Sequence, residues 1–259
     1  MKKIIIVHVL LLLSASVVVA QTQKPAVTGA KPQTAKTQGT NASQGAKGQA
    51  GAKQPPVNLM GEHFAKKYAV AARWNDFDVA KDAMYDLIIE YPSSDSLIYA
   101  LAYYYYENQK YPSSVLVCRD LLARNPKSPP VLELTGLSFE ALNIYDKALE
   151  NYETLFLTTN NSSTLYKMAF LQYELKRYPE SITNADILLS KQDVDTLKVV
   201  FNDTQNKPKE YPMKISLLNL KGLAYKDQAD KENAKKFFEE ALKAAPDFLP
   251  AKQNLAAIK

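Results

Sequence analysis

The side chains best placed to do chemistry in this 259-residue chain are tyrosines, and their chemistry is contact rather than catalysis. There are sixteen, including the run Tyr103-Tyr104-Tyr105-Tyr106. Tyrosine offers a large, fairly rigid surface with one polar tip, which suits binding a peptide or a partner protein. The usual catalytic groups are scarce. There are two histidines, His8 and His63, and one cysteine, Cys118. A multi-histidine metal site or a zinc-binding cysteine pair needs more than that once the leader is removed, and the one histidine left for a Ser-His-Asp triad, His63, stands at the edge of the folded part. The sequence has no glycine-rich phosphate loop and no Gly-x-Ser-x-Gly elbow. Asp227, Asp230 and the pair Glu239-Glu240 read as solvated helix faces. The expectation is therefore no enzyme, no metal and no cofactor.

What positions the tyrosines is a repeat. Pro92 and Pro126 are 34 residues apart, and similar apolar sets recur at that spacing. The unit 95–128 carries Ile98, Leu101, Ala102, Tyr105, Ser114, Cys118, Leu121 and Pro126. The preceding unit, 61–94, reads Phe64, Tyr68, Ala71, Phe77, Ala80, Met84, Leu87, Pro92. Then 129–161 reads Leu132, Gly136, Phe139, Tyr145, Ala148, Tyr152, Leu155, closing on Asn160 instead of proline. The unit 162–190 reads Leu165, Met168, Ala169, Tyr178, Ser181, Ala185, Leu188. The last, 215–248, reads Leu218, Gly222, Tyr225, Ala234, Phe238, Ala241, Pro246. Each unit spells two helices. A small residue on the first (Ala102, Gly136, Ala169, Gly222) lets the second approach, and proline stops the second helix. Such units bury their apolar faces only by stacking on neighbours. Cys118 sits at a packed second-helix position, so it reads as a buried structural thiol.

This pattern resembles the tetratricopeptide repeat family in five registers, with Phe64, Ile98, Leu132, Leu165 and Leu218 standing where the family has tryptophan. The resemblance implies an all-α, right-handed α-solenoid of about five helix-turn-helix units. It also implies a groove lined by the first helices. The groove positions that follow are Tyr99, Tyr103, Tyr106 and Glu107; Glu133, Leu137 and Glu140; Tyr166, Lys167, Phe170, Tyr173 and Glu174; and Asn219, Leu223 and Lys226. The candidate partner-binding set is Tyr99, Tyr103, Tyr106, Leu137, Tyr166, Phe170, Tyr173 and Leu223. The Lys/Asn clamp that some members close on a C-terminal carboxylate is missing, since Ala65, Ala69, Tyr99 and Tyr103 stand there. The implied ligand is a protein or peptide with an aromatic or apolar segment.

Two stretches interrupt or end the repeat. In 191–214, Thr196–Asn202 has strand composition, 203–206 reads as a turn, and Glu210–Met213 could return. The insertion is expected to be a β-hairpin or an ordered loop. Leu249 to Ile258 reads as a capping helix with Pro250 in its first turn and Leu255 and Ile258 inward.

The array occupies 58–259, and what precedes it reads as targeting and spacer. Met1 to Ala20 has Lys2 and Lys3, an apolar run from Ile4 to Leu13 and a small-residue exit, the layout of a signal peptide. Export to the periplasm or cell envelope of a bacterium is the expectation. Gln21 to Val57 is a low-complexity linker with five lysines and no carboxylate, either a solvated spacer or a basic arm touching wall or membrane. Without leader and linker, 25 basic side chains face 27 acidic ones, so the folded part is near neutral and nothing points to nucleic acid. The expected function is a non-enzymatic interaction scaffold or adaptor of the bacterial envelope. The alternative is a periplasmic chaperone or outer-membrane assembly accessory factor with many clients.

Overall fold

The computed structural model describes residues 58–258, apart from 193 and 204. The leader and linker expectations lie outside the described residues. The chain forms two compact units. The shorter one's described part, 58–90, is a single helix pair: α1 (Leu59–Arg73) and α2 (Phe77–Glu90). The Asn58 side chain caps α1 by accepting from the Gly61 N–H, and Ala80, Ala83, Met84 and Leu87 of α2 are buried. Lys67 reaches across the pair to Asp82 and Asp86.

The second unit runs from Tyr91 to the C-terminus. Its elements are α3 (Asp95–Glu107), α4 (Tyr111–Arg124), α5 (Pro129–Ala141), α6 (Tyr145–Thr159), α7 (Ser162–Glu174), α8 (Tyr178–Leu189), β1 (Lys198–Asn202), β2 (Pro208–Pro212), α9 (Met213–Asp227), α10 (Lys231–Ala244) and α11 (Leu249–Ala256). Each helix packs on the next, and first helices also touch one another, α3 on α5 and α7 on α9. The fold is an all-α solenoid with a two-stranded hairpin ahead of its last helix pair.

One turn geometry recurs in every pair. Asn75, Gln109, Asn143, Lys176 and Ala229 all adopt left-handed φ between 57° and 63°. After each, the next N–H returns to a carbonyl five residues back, as Lys110 N–H does to Tyr105 and Asp230 N–H to Tyr225. This is the six-to-one closure of a helix C-terminus, which satisfies orphan carbonyls and sets the angle of the second helix. Asn160, standing where other units have proline, ends α6 with left-handed φ of 49°. Asparagine tolerates that conformation, so it stops the helix by a different route.

Small residues decide how closely each pair packs. A Cβ on Gly136 would lie 2.7 Å from the Tyr152 ring, and one on Gly222 would lie 2.4 Å from the Phe238 ring. Both rings are fully enclosed. Cys118 is buried, and burial pushes its thiol pKa up.

The hairpin belongs to the core. Its register pairs Val199 with Tyr211, and both are buried. Phe201 and Tyr211 meet Phe248 edge-on, each with ring centres 5.0 Å apart. The Tyr211 hydroxyl donates to Asp247 at 3.0 Å, and Lys209 also pairs with Asp247. The Met213 N–H bonds the Leu197 carbonyl at 2.8 Å, so the hairpin runs directly into α9.

Candidate interaction face

The first helices α3, α5, α7 and α9 present repeat positions side by side. Tyr103, Leu137, Phe170 and Leu223 are equivalent by register, as are Tyr99, Glu133, Tyr166 and Asn219. Their fates differ. Tyr103 is 44% exposed, and Tyr99, Tyr106, Leu137, Phe170 and Tyr173 are half-buried. These six lie where a partner can reach them.

Two expected groove residues are not available. Tyr166 is 2% exposed. Its hydroxyl shares a 2.7 Å hydrogen bond with Ser216 of α9, and its ring packs on Phe170 at 4.8 Å. Leu223 is 4% exposed, packed with Ala234 and Phe238 beneath Leu255 and Ile258. Tyr166 is closed off by α9, which packs on α7, whereas Leu223, itself on α9, is covered by α10 and the C-terminal segment. The Asn254 side-chain amide donates to Asn219 at 3.0 Å, which closes that position too.

A second set of tyrosines joins the face from the starts of the second helices. Tyr111, Tyr145 and Tyr178 recur at spacings of 34 and 33 residues. Tyr106 meets Tyr111 with ring centres 5.6 Å apart, and Tyr173 meets Tyr178 at 5.8 Å. Their recurrence is visible in the sequence, but Tyr145 and Tyr178 count there as packing positions, not as part of a binding face.

Carboxylates alternate with these rings. Burial raises the Tyr106 pKa, and Tyr111, Glu140 and Glu107 raise it further. Tyr145 is raised by burial, then by Glu174 and Glu140. Tyr178 is raised by burial, then by Asp227 and Glu174. Tyr173 donates to Asp227 at 2.7 Å, and burial with that bond holds its pKa far up. Tyr99 is pushed up to about 12, chiefly by burial and then by Cys118 and Glu133. Each shift has the same sense, because a tyrosinate would be desolvated and would face negative charge.

Under this row lies one unusual group. Tyr152 reaches from α6 across Gly136, and its buried hydroxyl has no hydrogen-bond partner. Its pKa is raised by burial first and then by Glu140, which lies close without reaching bonding geometry. Lys167 sits 5.2 Å over the Tyr152 ring and pairs with Glu140 at 3.3 Å. At the other end of α3, a hollow of about 240 Å³ is lined by Asp95, Ser96, Tyr99, Leu121, Pro130 and Val131. Among the described residues, no group of three His, Cys, Asp or Glu side chains is placed to hold a metal.

The fold and one unit resemble known proteins. Residues 215–248 match the tetratricopeptide repeat model. A tetratricopeptide repeat protein from Parabacteroides merdae is similar in structure, with a TM-score of 0.60 at 15% identity over 78% of this chain and 73% of that one. YrrB, a tetratricopeptide repeat protein with an unusual peptide-binding site, superposes with a TM-score of 0.57 at 11% identity, covering 73% and 89%. MamA from Desulfovibrio magneticus gives 0.55 at 11% identity, covering 75% and 99%. At such identities the likeness concerns the fold. The chain has the fold of tetratricopeptide-repeat proteins, and one of its units matches the repeat model itself. No curated protein sequence matches it.

Proposed function

We propose that the chain is a non-enzymatic scaffold or adaptor that holds a peptide or protein segment on its first-helix face. The observation that carries this is the row of accessible rings: Tyr99, Tyr103, Tyr106, Phe170 and Tyr173 on two first helices. Partly exposed aromatic side chains on a rigid helical layer lose little conformational entropy on binding, which is why they dominate interfaces. YrrB, with its peptide-binding site on a similar fold, supports the reading by analogy. The lysine-start and apolar run of residues 2–13 support export, with the work done in a bacterial envelope.

The test is capture from the native cell. The tagged chain is crosslinked in place beside a variant carrying Tyr103→Ser and Phe170→Ser, and copurifying proteins are identified. One dominant partner lost in the variant supports the scaffold. Many unrelated clients, with suppression of their aggregation, supports the chaperone alternative instead. Partners unchanged in the variant remove the face from the binding role. Export is checked by whether the mature N-terminus begins near Gln21.

A further inference from the structure

The interaction face is not simply aromatic. Following it along the second unit, carboxylates and rings alternate: Glu107, Tyr106, Glu140, Tyr145, Glu174, Tyr178, Asp227. Among the described residues, Lys167 and Lys226 alone answer these charges, pairing with Glu140 at 3.3 Å and Asp227 at 3.9 Å. Among the described residues no cation pairs with Glu107, Glu133 or Glu174. Glu174 is half-buried, and desolvation with the nearby Asp227 raises its pKa. A partly buried carboxylate without a counter-charge is destabilised until a cation arrives.

Two further observations point to the kind of cation. The first is Lys167 itself. Its ammonium lies over the Tyr152 ring and against Glu140, so the face already binds one lysine head by ring and carboxylate together. The second is the Tyr152 hydroxyl, fully enclosed, unpartnered, and directed past Gly136 toward Glu140. Buried hydroxyls are normally satisfied. This one gives Glu140 no hydrogen bond, so that carboxylate keeps its demand for a cation.

We propose that the segment held on this face is a basic peptide, with lysine or arginine side chains alternating with apolar ones. The cations sit between the tyrosines against Glu140, Glu174 and Asp227, and the apolar side chains contact Tyr103, Leu137 and Phe170. This deepens the scaffold reading and rests on it. Lys167 acts as a resident competitor for the Glu140 position.

The test uses the whole mature chain and three labelled twelve-residue peptides. They share leucine at alternate positions and carry lysine, glutamine or glutamate at the others. Fluorescence anisotropy at low salt is expected to rank lysine above glutamine above glutamate, with lysine over glutamine by about tenfold. That margin should shrink as salt rises. Glu140→Gln with Glu174→Gln should remove most of it. Lys167→Gln should tighten the lysine peptide several-fold by vacating Glu140.

Equal binding of the lysine and glutamine peptides overturns the proposal. If that common binding is still lost with Phe170→Ser, the face itself stands and only its charge preference is wrong. Lysine-peptide binding that ignores the Glu140 and Glu174 substitutions also overturns it, since the attraction would then be diffuse. Failure of all three peptides to bind overturns it as well, and leaves the scaffold reading to the capture experiment.

Discussion

Two first helices with the same repeat register have come to opposite ends. In α3, the ninth unit position is Tyr103, 44% exposed; in α9 it is Leu223, 4% exposed. The fifth position is half-buried Tyr99 in one and enclosed Asn219 in the other. The backbone pattern is the same, down to the left-handed turn at Gln109 and Ala229. What differs is the cover. The C-terminal segment packs on α9 and α10, with Leu255 and Ile258 against the cluster of Leu223, Ala234 and Phe238 and Asn254 on Asn219. The hairpin runs straight into α9 and holds its start against the Asp247–Phe248 turn. One repeat position can therefore serve recognition or stability, depending on whether another element covers it.

The contrast is sharpest in stability. Leu223→Ala should cost about 3 kcal/mol, because an enclosed leucine leaves both lost transfer energy and a cavity. Urea unfolding checks it; a loss below about 1 kcal/mol would mean that α11 does not cover α9 in solution.

Next comes the glycine at the small-residue position. Gly222→Ala should destabilise by about 2 kcal/mol, since the new methyl meets an enclosed Phe238 ring that must shift. Gly136→Ala should cost somewhat less, its methyl meeting Tyr152 at a longer 2.7 Å. At an open helix site the same change would gain about 0.5–1 kcal/mol. A gain at Gly222 in thermal melts would show that the two helices do not approach as described.

The tyrosine-rich half should also reveal itself in alkali. Tyr99 is held at about 12, and Tyr103, Tyr106, Tyr145 and Tyr178 are raised as well. An unfolded tyrosine ionises near pH 10. A raised folded-state pKa means the neutral form is favoured on folding. That stability is complete below about pH 10 and is lost as pH climbs through the folded values. Helix loss and tyrosinate absorbance should rise together between about pH 10 and 12. Tyrosinate appearing near pH 10 with helix intact would place these rings in open solvent.

Tyr152→Phe should be neutral or stabilising by about 1 kcal/mol, because an enclosed hydroxyl without a partner is removed and the ring over Gly136 is kept. A loss of more than about 1 kcal/mol would mean that the hydroxyl has an internal partner. The smallest effect closes the comparison with Leu223. Tyr103→Ala should change stability by less than about 0.5 kcal/mol, the range for an exposed site away from special features. A drop as large as that of Leu223→Ala would erase the distinction between the two helices.

Much of the architecture was legible along the chain. The 34-residue spacing located the helix pairs. The glycines at 136 and 222 marked where pairs approach closely, and the β-branched run after Thr196 marked a strand. These are local facts: a small residue, a proline or an alternating strand pattern restricts its own backbone whatever surrounds it. The site was legible only in part. Register placed Tyr103 and Phe170 on an accessible face, but it also placed Tyr166 and Leu223 there. It treated Tyr145 and Tyr178 as packing residues. It could not show that the Tyr152 hydroxyl passes Gly136 unpartnered. Burial depends on which distant element lands on a position, and α11 and the hairpin reach α9 from outside its own helix pair. The sequence alone thus determined the repeating unit, because its signals lie within one or two helical turns. The tertiary structure decided which copies of each position stay open, because exposure is set by neighbours that no period within the unit records.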